Sequence, residues 1–228
     1  MKRNQSGFTL IEIAIVLVII GLLLGGVLKG QELINSAKVK NLATDFRNIP
    51  VSIYGYQDKF KALPGDDVNV ATHLVGATLA TTPANSQGNG VIDGNWNSTT
   101  QSDESYLFWQ HIRLAGLASG PTVVTDPGYL PTNSAGGNIG IQSGTSVAAN
   151  SPIKDLSTAP LAIRGTYIIC SSGILGKFVT QLDTTLDDGN TATGSMMATP
   201  TTGYAIGASA TATTAINPAA TYTVCMGV

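Results

Sequence analysis

The stretch that decides the fold is residues 8–28, FTLIEIAIVLVIIGLLLGGVL, an almost unbroken apolar run. As an α-helix it is about 31 Å long at ~1.5 Å per residue, which matches the hydrocarbon core of a bilayer. It is longer than the apolar part of a cleavable secretory signal, about 7–15 residues, and no small-residue cleavage site follows it. The run therefore predicts a membrane-spanning helix and argues against an ordinary signal peptide.

Glu12 is the one charged residue in this run. A carboxylate inside a membrane span costs about 2.5–3.5 kcal/mol on insertion scales, and no cation lies within the run to neutralise it. Cleavage between Gly7 and Phe8 would create an α-amino group that is protonated near neutral pH. Within a stack of identical helices, that amine could reach the Glu12 of a neighbour and fix the register. The alternative is a single-span anchor with a stray glutamate.

The segment Ser6–Glu12, SGFTLIE, follows a basic leader and opens the apolar run. In this it resembles the type IV prepilin processing signal, which type II secretion pseudopilins share. The resemblance implies that a membrane peptidase cuts after Gly7 and then N-methylates Phe8. It also gives Glu12 the place of the family's glutamate, which is linked to the recruitment and registration of incoming subunits.

Beyond the apolar run the helical pattern continues over residues 29–61 and becomes amphipathic. Apolar residues recur at spacings of three and four, the period of one helix face, with charged residues between them. Leu63-Pro64-Gly65 predicts the end of the helix. A globular head is expected to pack on the apolar stripe, which consists of Leu42, Phe46, Ile49, Ile53, Tyr56 and Phe60.

From residue 62 onward the sequence is β-rich and interrupted by turns such as Gly88–Gly94. A helix is predicted at 105–117 and a long polar surface loop at 131–152. Strand candidates are 123–125, 161–170, 174–180, 204–208 and 221–226. The expected fold class is α+β: a long N-terminal α-helix, transmembrane in its first half and amphipathic in its second, packed on a C-terminal β-rich globular head. The predicted domains are a leader at 1–7, a transmembrane or filament-core helix at 8–28, the amphipathic helix at 29–61 and the head at 62–228.

Cys170 and Cys225 are the two cysteines of the chain, and each ends a short β-type run. An isolated pair behind an export-type front end favours a disulfide. The alternative is two small buried thiols. If the pair is bridged, the C-terminal strand is tied back to the rest of the head.

Two turns contain the oxygen-bearing side chains that calcium prefers. Residues 85–93 echo an EF-hand loop, but amides replace acids and Trp96 stands where a bidentate glutamate belongs. Asp183, Asp187 and Asp188 bring more charge together, next to Gly189. Some pseudopilins hold calcium in their heads, so calcium is a candidate for this second turn, and ordinary turn and capping roles are the alternative. No other cofactor is expected.

The composition disfavours nucleic-acid binding and catalysis. Charged residues make up 11% of the chain and the net charge is -2, whereas a nucleic-acid surface needs clustered Lys and Arg. The two histidines, His73 and His111, lie in a polar connection and on the 105–117 helix. No nucleophile elbow or paired-cysteine metal motif is present. An enzyme is therefore not expected.

The resemblance makes a structural subunit of a type IV pilus, major or minor, the leading functional hypothesis. A pseudopilin of a type II secretion system is the alternative, and a ligand- or DNA-binding minor pilin or adhesin is an alternative of another class. The expected partners are copies of the chain in a helical filament, other pilins or pseudopilins, the prepilin peptidase and the inner-membrane assembly machinery. The prepilin is expected in the inner membrane as a single-pass protein with its head outside the cytoplasm, and the mature chain in an extracellular pilus or a periplasmic pseudopilus.

Overall fold

The computed structural model describes residues 9–228, so the predictions for Gly7 and Phe8 lie outside the described residues. The chain divides into two compact units, Met1–Lys38 and Val39–Val228. The helices are α1 (Leu10–Phe60), α2 (Val70–His73), α3 (Glu104–Leu114) and α4 (Gly176–Leu186), and the strands are β1 (Ile139–Ser143), β2 (Ile153–Lys154), β3 (Tyr167–Leu175), β4 (Met196–Pro200), β5 (Ala210–Thr211) and β6 (Thr221–Gly227). The predicted α+β class, with a long N-terminal helix and a β-sheet head, is confirmed.

The described part of the first unit is helical, from the start of α1 at Leu10 onward. Every residue from Leu10 to Lys29 is exposed. At the end of the apolar run, the Nζ of Lys29 lies 2.6 Å from a carboxylate oxygen of Glu32, one turn further along the helix. By length and composition α1 is able to cross a membrane.

In the second unit, the rest of α1 buries the predicted apolar stripe. Leu42, Phe46 and Ile53 are almost completely buried, and they share one core with Ile141 and Ile169 of the sheet. Tyr56 packs in a smaller cluster with residues of α2, and Phe60 is partly buried there. The three-and-four spacing therefore identified the face of the helix that packs on the sheet.

The main sheet has the strand order β1-β3-β6-β4, and all its pairs are antiparallel. Side chains alternate between its two faces, as the pleat requires. Ile169 of β3 and Val224 of β6 face the core that contains α1. Ile168 of β3 and Cys225 of β6 contribute to a second core. Both faces of the sheet are therefore buried.

The second core was not expected from the sequence. It contains Trp96, Ile163 and the disulfide-bonded cysteines, and it lies beside a small parallel sheet of β2 and β5. The indole N–H of Trp96 donates to the hydroxyl of Tyr204 at 3.0 Å, and the two rings stack with their centroids 5.8 Å apart. These short strands and loops shield the disulfide face of the sheet.

The predicted strand at 174–180 is wrong, because β3 ends at Leu175 and α4 begins at Gly176. The local sequence is rich in Val, Phe and Thr, which favour strands. Phe178, Val179 and Leu182 instead form one buried helix face against the sheet. The burial of side chains that recur at the helical period therefore outweighs the strand propensity of the local sequence.

The predicted loop at 131–152 contains strand β1, which pairs with β3 along its whole length. The many glycines of this stretch suggested a loop, but Gly140 is needed for close packing. A Cβ at Gly140 would lie 1.8 Å from the carbonyl oxygen of Trp96. The glycine marks a close backbone approach within the fold.

Three further strand predictions need correction. Residues 123–125 and 204–208 form turns, closed by hydrogen bonds from Asp126 N–H to the Val123 carbonyl and from Ala208 N–H to the Ala205 carbonyl. The strand predicted at 161–170 begins only at Tyr167. Strand β4 was missed because its Ala198 and Pro200 are residue types depleted in strands, although β4 pairs fully with β6. The prediction at 221–226 is confirmed by β6.

The predicted helix at 105–117 corresponds to α3, which ends three residues earlier, at Leu114. The chain then turns through Gly116. The N–H of Leu117 donates to the Ile112 carbonyl at 2.9 Å, and the N–H of Gly116 donates to the Arg113 carbonyl at 3.0 Å. This pair of bonds is a helix-terminating Schellman motif.

Glu104, the first residue of α3, is a buried acid that holds the loop before the helix. Its Oε2 accepts the backbone N–H of Asp93 at 2.8 Å, and its Oε1 lies 2.6 Å from the hydroxyl of Ser86. Burial is the main cause that raises the pKa of Glu104 to about 7; the hydrogen bonds from Ser86 and Asp93 oppose the rise, and the charges of Asp66 and Asp93 support it. Below about pH 7 the folded head therefore favours the protonated form of Glu104.

Glu104 makes the stability of the head depend on pH. Its pKa rises from 4.5 in the unfolded chain to about 7, so the native state binds an extra proton between these values and the free energy of unfolding falls as pH rises through this window. The expected loss is about 3 kcal/mol, since one pKa unit is worth about 1.4 kcal/mol. Fluorescence-detected unfolding at pH 5 and pH 8 measures it, because both tryptophans lie in the head.

Glu104→Gln is the matched variant for this pH effect. Its amide oxygen accepts the Asp93 N–H and its amino group donates to Ser86, so both contacts survive without a titratable group. We expect it to be more stable than the parent chain at pH 8. Its free energy of unfolding should also decrease much less between pH 5 and pH 8 than that of the parent chain. If the stability of Glu104→Gln depends on pH as that of the parent chain does, other carboxyl groups cause the pH dependence.

Candidate functional site

The N-terminal end of α1 is closed by a reciprocal pair of contacts between Thr9 and Glu12. The backbone N–H of Thr9 donates to Oε2 of Glu12 at 2.8 Å, and the N–H of Glu12 donates to Oγ1 of Thr9 at 3.3 Å. The Thr9 hydroxyl also donates to Oε2, at 2.8 Å. This is a capping box, in which N-terminal helix donors receive side-chain partners.

The capping box uses only one of the two carboxylate oxygens of Glu12. Both hydrogen bonds to the carboxylate end on Oε2, and within residues 9–228 Oε1 accepts none. Both Thr9 and Glu12 are exposed. The carboxylate is thus held in a fixed orientation by Thr9 while one oxygen can accept a further donor.

The apolar side chains that follow Glu12 lack cover in the described structure. Leu10 is 89% exposed, and Leu17, Leu22 and Leu28 are each more than 60% exposed. Apolar surface of this extent is unfavourable in water, at about 25 cal/mol per Å². The segment requires lipid or other apolar helices around it.

Comparison with protein-family models links this geometry to a known signal. Residues 2–28 match the model of the prokaryotic N-terminal methylation motif. The chain carries the prepilin-type signal. This signal directs the cleavage and methylation of type IV pilins and pseudopilins, and the match spans Gly7, Phe8 and Glu12 together.

The prepilin-type signal supports a pilin-like protein, of either the type IV pilin or the pseudopilin kind. It implies processing by a prepilin peptidase and assembly with other pilin-type subunits, and together with the apolar α1 it fits membrane insertion as a prepilin. Proteins that carry the signal are structural rather than enzymatic. Comparisons with curated proteins and with solved structures gave no match.

The structure joins Cys170 and Cys225 in a disulfide. The two residues face each other in the ladder between β3 and β6, with their Cα atoms 4.0 Å apart. Both cysteines are completely buried in the second core. The bridge therefore ties β6 to β3 on the side of the sheet that faces away from α1.

Asp183, Asp187 and Asp188 come together where α4 ends. One carboxylate oxygen from each lies within 4.8 Å of the other two. Burial, and after it the negative charges of Asp187 and Asp188, raise the pKa of Asp183 to about 6. The structure therefore brings together the three acids of the second turn, and calcium binding there stays a prediction.

The loop at 85–93 is organised around an anion. The carboxylate of Asp66 accepts backbone N–H groups from Gly88, Asn89 and Gly90, at 2.5, 3.2 and 2.7 Å. A calcium loop presents oxygen atoms to its centre, whereas this loop presents N–H groups. Only the turn after α4 is kept as a candidate cation site.

Thr9 and Asp66 are functional or organising residues that the sequence reasoning missed. The signal for Thr9 was present, since Thr9-Leu-Ile-Glu12 has the spacing of a capping box. The role of Asp66 had no local signal, because its partners lie more than twenty residues away.

Proposed function

We propose that the chain is a structural subunit of a type IV pilus, made as a membrane prepilin. The prepilin peptidase removes residues 1–7 after Gly7 and methylates the new N-terminus at Phe8. The observation that carries the proposal is the methylation motif at residues 2–28, which continues into an exposed apolar helix with an acid at its start.

The apolar surface of α1 supports a filament. In the prepilin, lipid covers the segment that follows Leu10. When the subunit leaves the membrane, an equal apolar cover must replace the lipid, and copies of the same helix provide it. Transfer from lipid into a helix bundle changes the hydrophobic free energy little, so close packing and polar contacts decide the register.

Glu12 supplies such a polar contact. Its Oε2 is held by Thr9, and its Oε1 accepts a hydrogen bond from the protonated α-amine of a neighbouring subunit. In an apolar surrounding this charge-assisted bond is favourable only when amine and acid are aligned. The pair therefore selects one axial offset between subunits, and the capping box holds the acid in place for it.

Filaments sheared from the cell surface test the proposal. We expect this chain in them, beginning at a methylated Phe8, and we expect a deletion of its gene to remove or alter those filaments. A mature chain confined to the periplasm, together with loss of protein secretion in the deletion strain, would instead identify a pseudopilin and overturn the pilus assignment.

Three variants separate the charge of Glu12 from its capping role. Glu12→Gln keeps a capping box but loses the charge, Thr9→Ala loses the cap hydroxyl but keeps the charge, and Glu12→Ala loses both. A charge-assisted hydrogen bond is worth about 1.5–3 kcal/mol, so its loss weakens incorporation about tenfold or more. We expect the incorporation of Glu12→Gln to fall as far as that of Glu12→Ala. Thr9→Ala keeps the charge and the backbone N–H that donates to Oε2, so its incorporation should fall much less.

The readout is the amount of each variant in purified filaments, relative to processed protein in the membrane. Each variant is expressed as the sole copy, so that parent subunits cannot compensate. Normal filaments from Glu12→Gln, with a defect in Thr9→Ala, would assign Glu12 to helix capping and reject the register role.

A further inference from the structure

The C-terminal end of α4 concentrates negative charge, and no ion pair among residues 9–228 compensates it. Asp183 lies in the last turn, Asp187 follows the helix and Asp188 comes next. The C-terminus of a helix is itself the negative end of its dipole, where cations are favoured. The ion pairs found among residues 9–228 involve Lys29, Lys61 and His73, and none of them reaches this cluster.

Asp183 is the member of the cluster that requires an explanation. Its side chain is 1% exposed, and in the described part of the chain neither Oδ1 nor Oδ2 has a hydrogen-bond partner. A buried carboxylate without a partner is strongly unfavourable, and buried acids are normally paired or bound to a metal. The nearest charged groups here are two more carboxylates, which increase the penalty.

The other two acids are held in place by the turn. Oδ2 of Asp187 accepts the N–H groups of Ser195 and Met196, at 2.7 and 2.9 Å. Oδ1 of Asp188 accepts the N–H of Asn190 at 2.8 Å. The backbone of Gly194 lies so close that a Cβ there would be 2.0 Å from Oδ2 of Asp187, and its φ of 85° also favours glycine. The cluster is thus fixed by the start of β4.

We propose that Asp183, Asp187 and Asp188 bind a divalent cation, and that the ion is Ca²⁺. Carboxylate oxygens are the ligands that this hard cation prefers, and three carboxylates outweigh its charge. Calcium accepts a flexible set of six to eight oxygens, whereas Mg²⁺ needs near-ideal octahedral geometry and keeps several waters. Three carboxylates on one helix end and its following turn suit the less demanding ion.

A bound ion would connect two parts of the head. Asp183 belongs to α4, while Oδ2 of Asp187 accepts the N–H of Met196, the first residue of β4. The ion then stabilises the docking of α4 beside the sheet. It also gives the buried carboxylate of Asp183 a positively charged partner. This role concerns the head alone and does not depend on the proposed filament function.

Calcium binding is tested on the full chain in detergent micelles, stripped with EGTA and dialysed. Titration calorimetry with CaCl₂ is expected to show one site, with much weaker binding of MgCl₂. Thermal unfolding followed by tryptophan fluorescence is expected to shift to higher temperature in CaCl₂ than in EGTA. No binding heat and identical melting temperatures in the two buffers would overturn the proposal, and filament assembly would remain a separate question.

Asp188→Asn and Asp126→Asn form a matched pair. Each aspartate accepts the N–H of the residue two positions later, but Asp126 lies in a turn outside the cluster. We expect Asp188→Asn to weaken calcium binding at least about 10-fold, because loss even of a group that only supports a ligand costs about 10- to 100-fold in metal affinity. Asp126→Asn should bind as the parent chain does. An equal effect of both substitutions would mean non-specific surface binding and would contradict the site.

Asp183→Asn is expected to change the melting temperature differently in EGTA and in CaCl₂. In EGTA the variant should melt at a higher temperature than the parent chain, because a buried charge is gone. In CaCl₂ it should lose the calcium-dependent rise, because a ligand is gone. A calcium-dependent rise equal to that of the parent chain would remove Asp183 from the site.

Discussion

A Gly7→Ala chain is expected to keep its leader and to remain in the membrane. The peptidase must bring its catalytic groups close to the backbone at the scissile bond, and glycine is the residue that permits the closest approach. The uncut leader also carries Lys2 and Arg3. Moving such charges into an apolar bundle costs about 2.5–3.5 kcal/mol each on insertion scales, so we expect an unprocessed subunit to be excluded from the proposed filament core.

Intact mass of the protein in membrane and filament fractions measures this effect. We expect almost all Gly7→Ala protein in the membrane, beginning at Met1, and essentially none in filaments. Ser6→Ala is the matched control, since it adds no side chain at the cleavage position and should be processed normally. Filaments of Gly7→Ala protein beginning at residue 8 would contradict the assignment of the cleavage site.

Removal of the Cys170–Cys225 bridge is expected to produce the largest loss of stability in the head. The bridge spans a sequence separation of 55 residues. In the chain-entropy treatment, closing a loop of this length restricts the unfolded chain and stabilises the folded state by about 4 kcal/mol. Small domains have a total stability of about 5–15 kcal/mol. A Cys170→Ala, Cys225→Ala double variant should therefore unfold at a much lower denaturant concentration, as followed by tryptophan fluorescence.

The double variant also removes two buried sulfur atoms, so a second measurement is needed to isolate the cross-link. Parent protein that is unfolded, reduced and refolded in the presence of reductant keeps both sulfur atoms but has no bridge. We expect it to lose most of the stability that the double variant loses. Equal denaturation midpoints for oxidised and reduced parent protein would show that the cross-link contributes little.

The elements that were predicted correctly are those whose signal is complete within a short segment. The stripe from Leu42 to Phe60 shows the helical period by itself, and the burial of Phe46 and Ile53 follows from it. Helix α3 and strand β6 likewise have clear local patterns. The cysteine pair has one possible partner arrangement, so its connectivity needed no further information.

The elements that were missed depend on distant parts of the chain. Strand β1 contains Gly140 and lies in a polar, glycine-rich stretch, so only its pairing with β3 makes it a strand. Helix α4 begins with the strand formers Phe178, Val179 and Thr180 after a glycine and a lysine, and the core beneath Phe178 and Leu182 determines its form. For the candidate cation site, the sequence identified the three acids but gave no indication that Asp183 is buried without a partner.

The main sheet of the head cannot be completed until β6 has been synthesised, because β6 is one of its two central strands. This strand lies between β3 and β4, yet residues 221–227 are synthesised after all the other strands of the sheet. Until they arrive, β4 has no ladder partner in the main sheet and Cys170 has no second sulfur atom. Strands β1 and β3 can pair earlier, but the ladders of β6 with β3 and β4 form only once residues 221–227 have been synthesised. A chain halted before that point leaves edges of β3 and β4 unpaired.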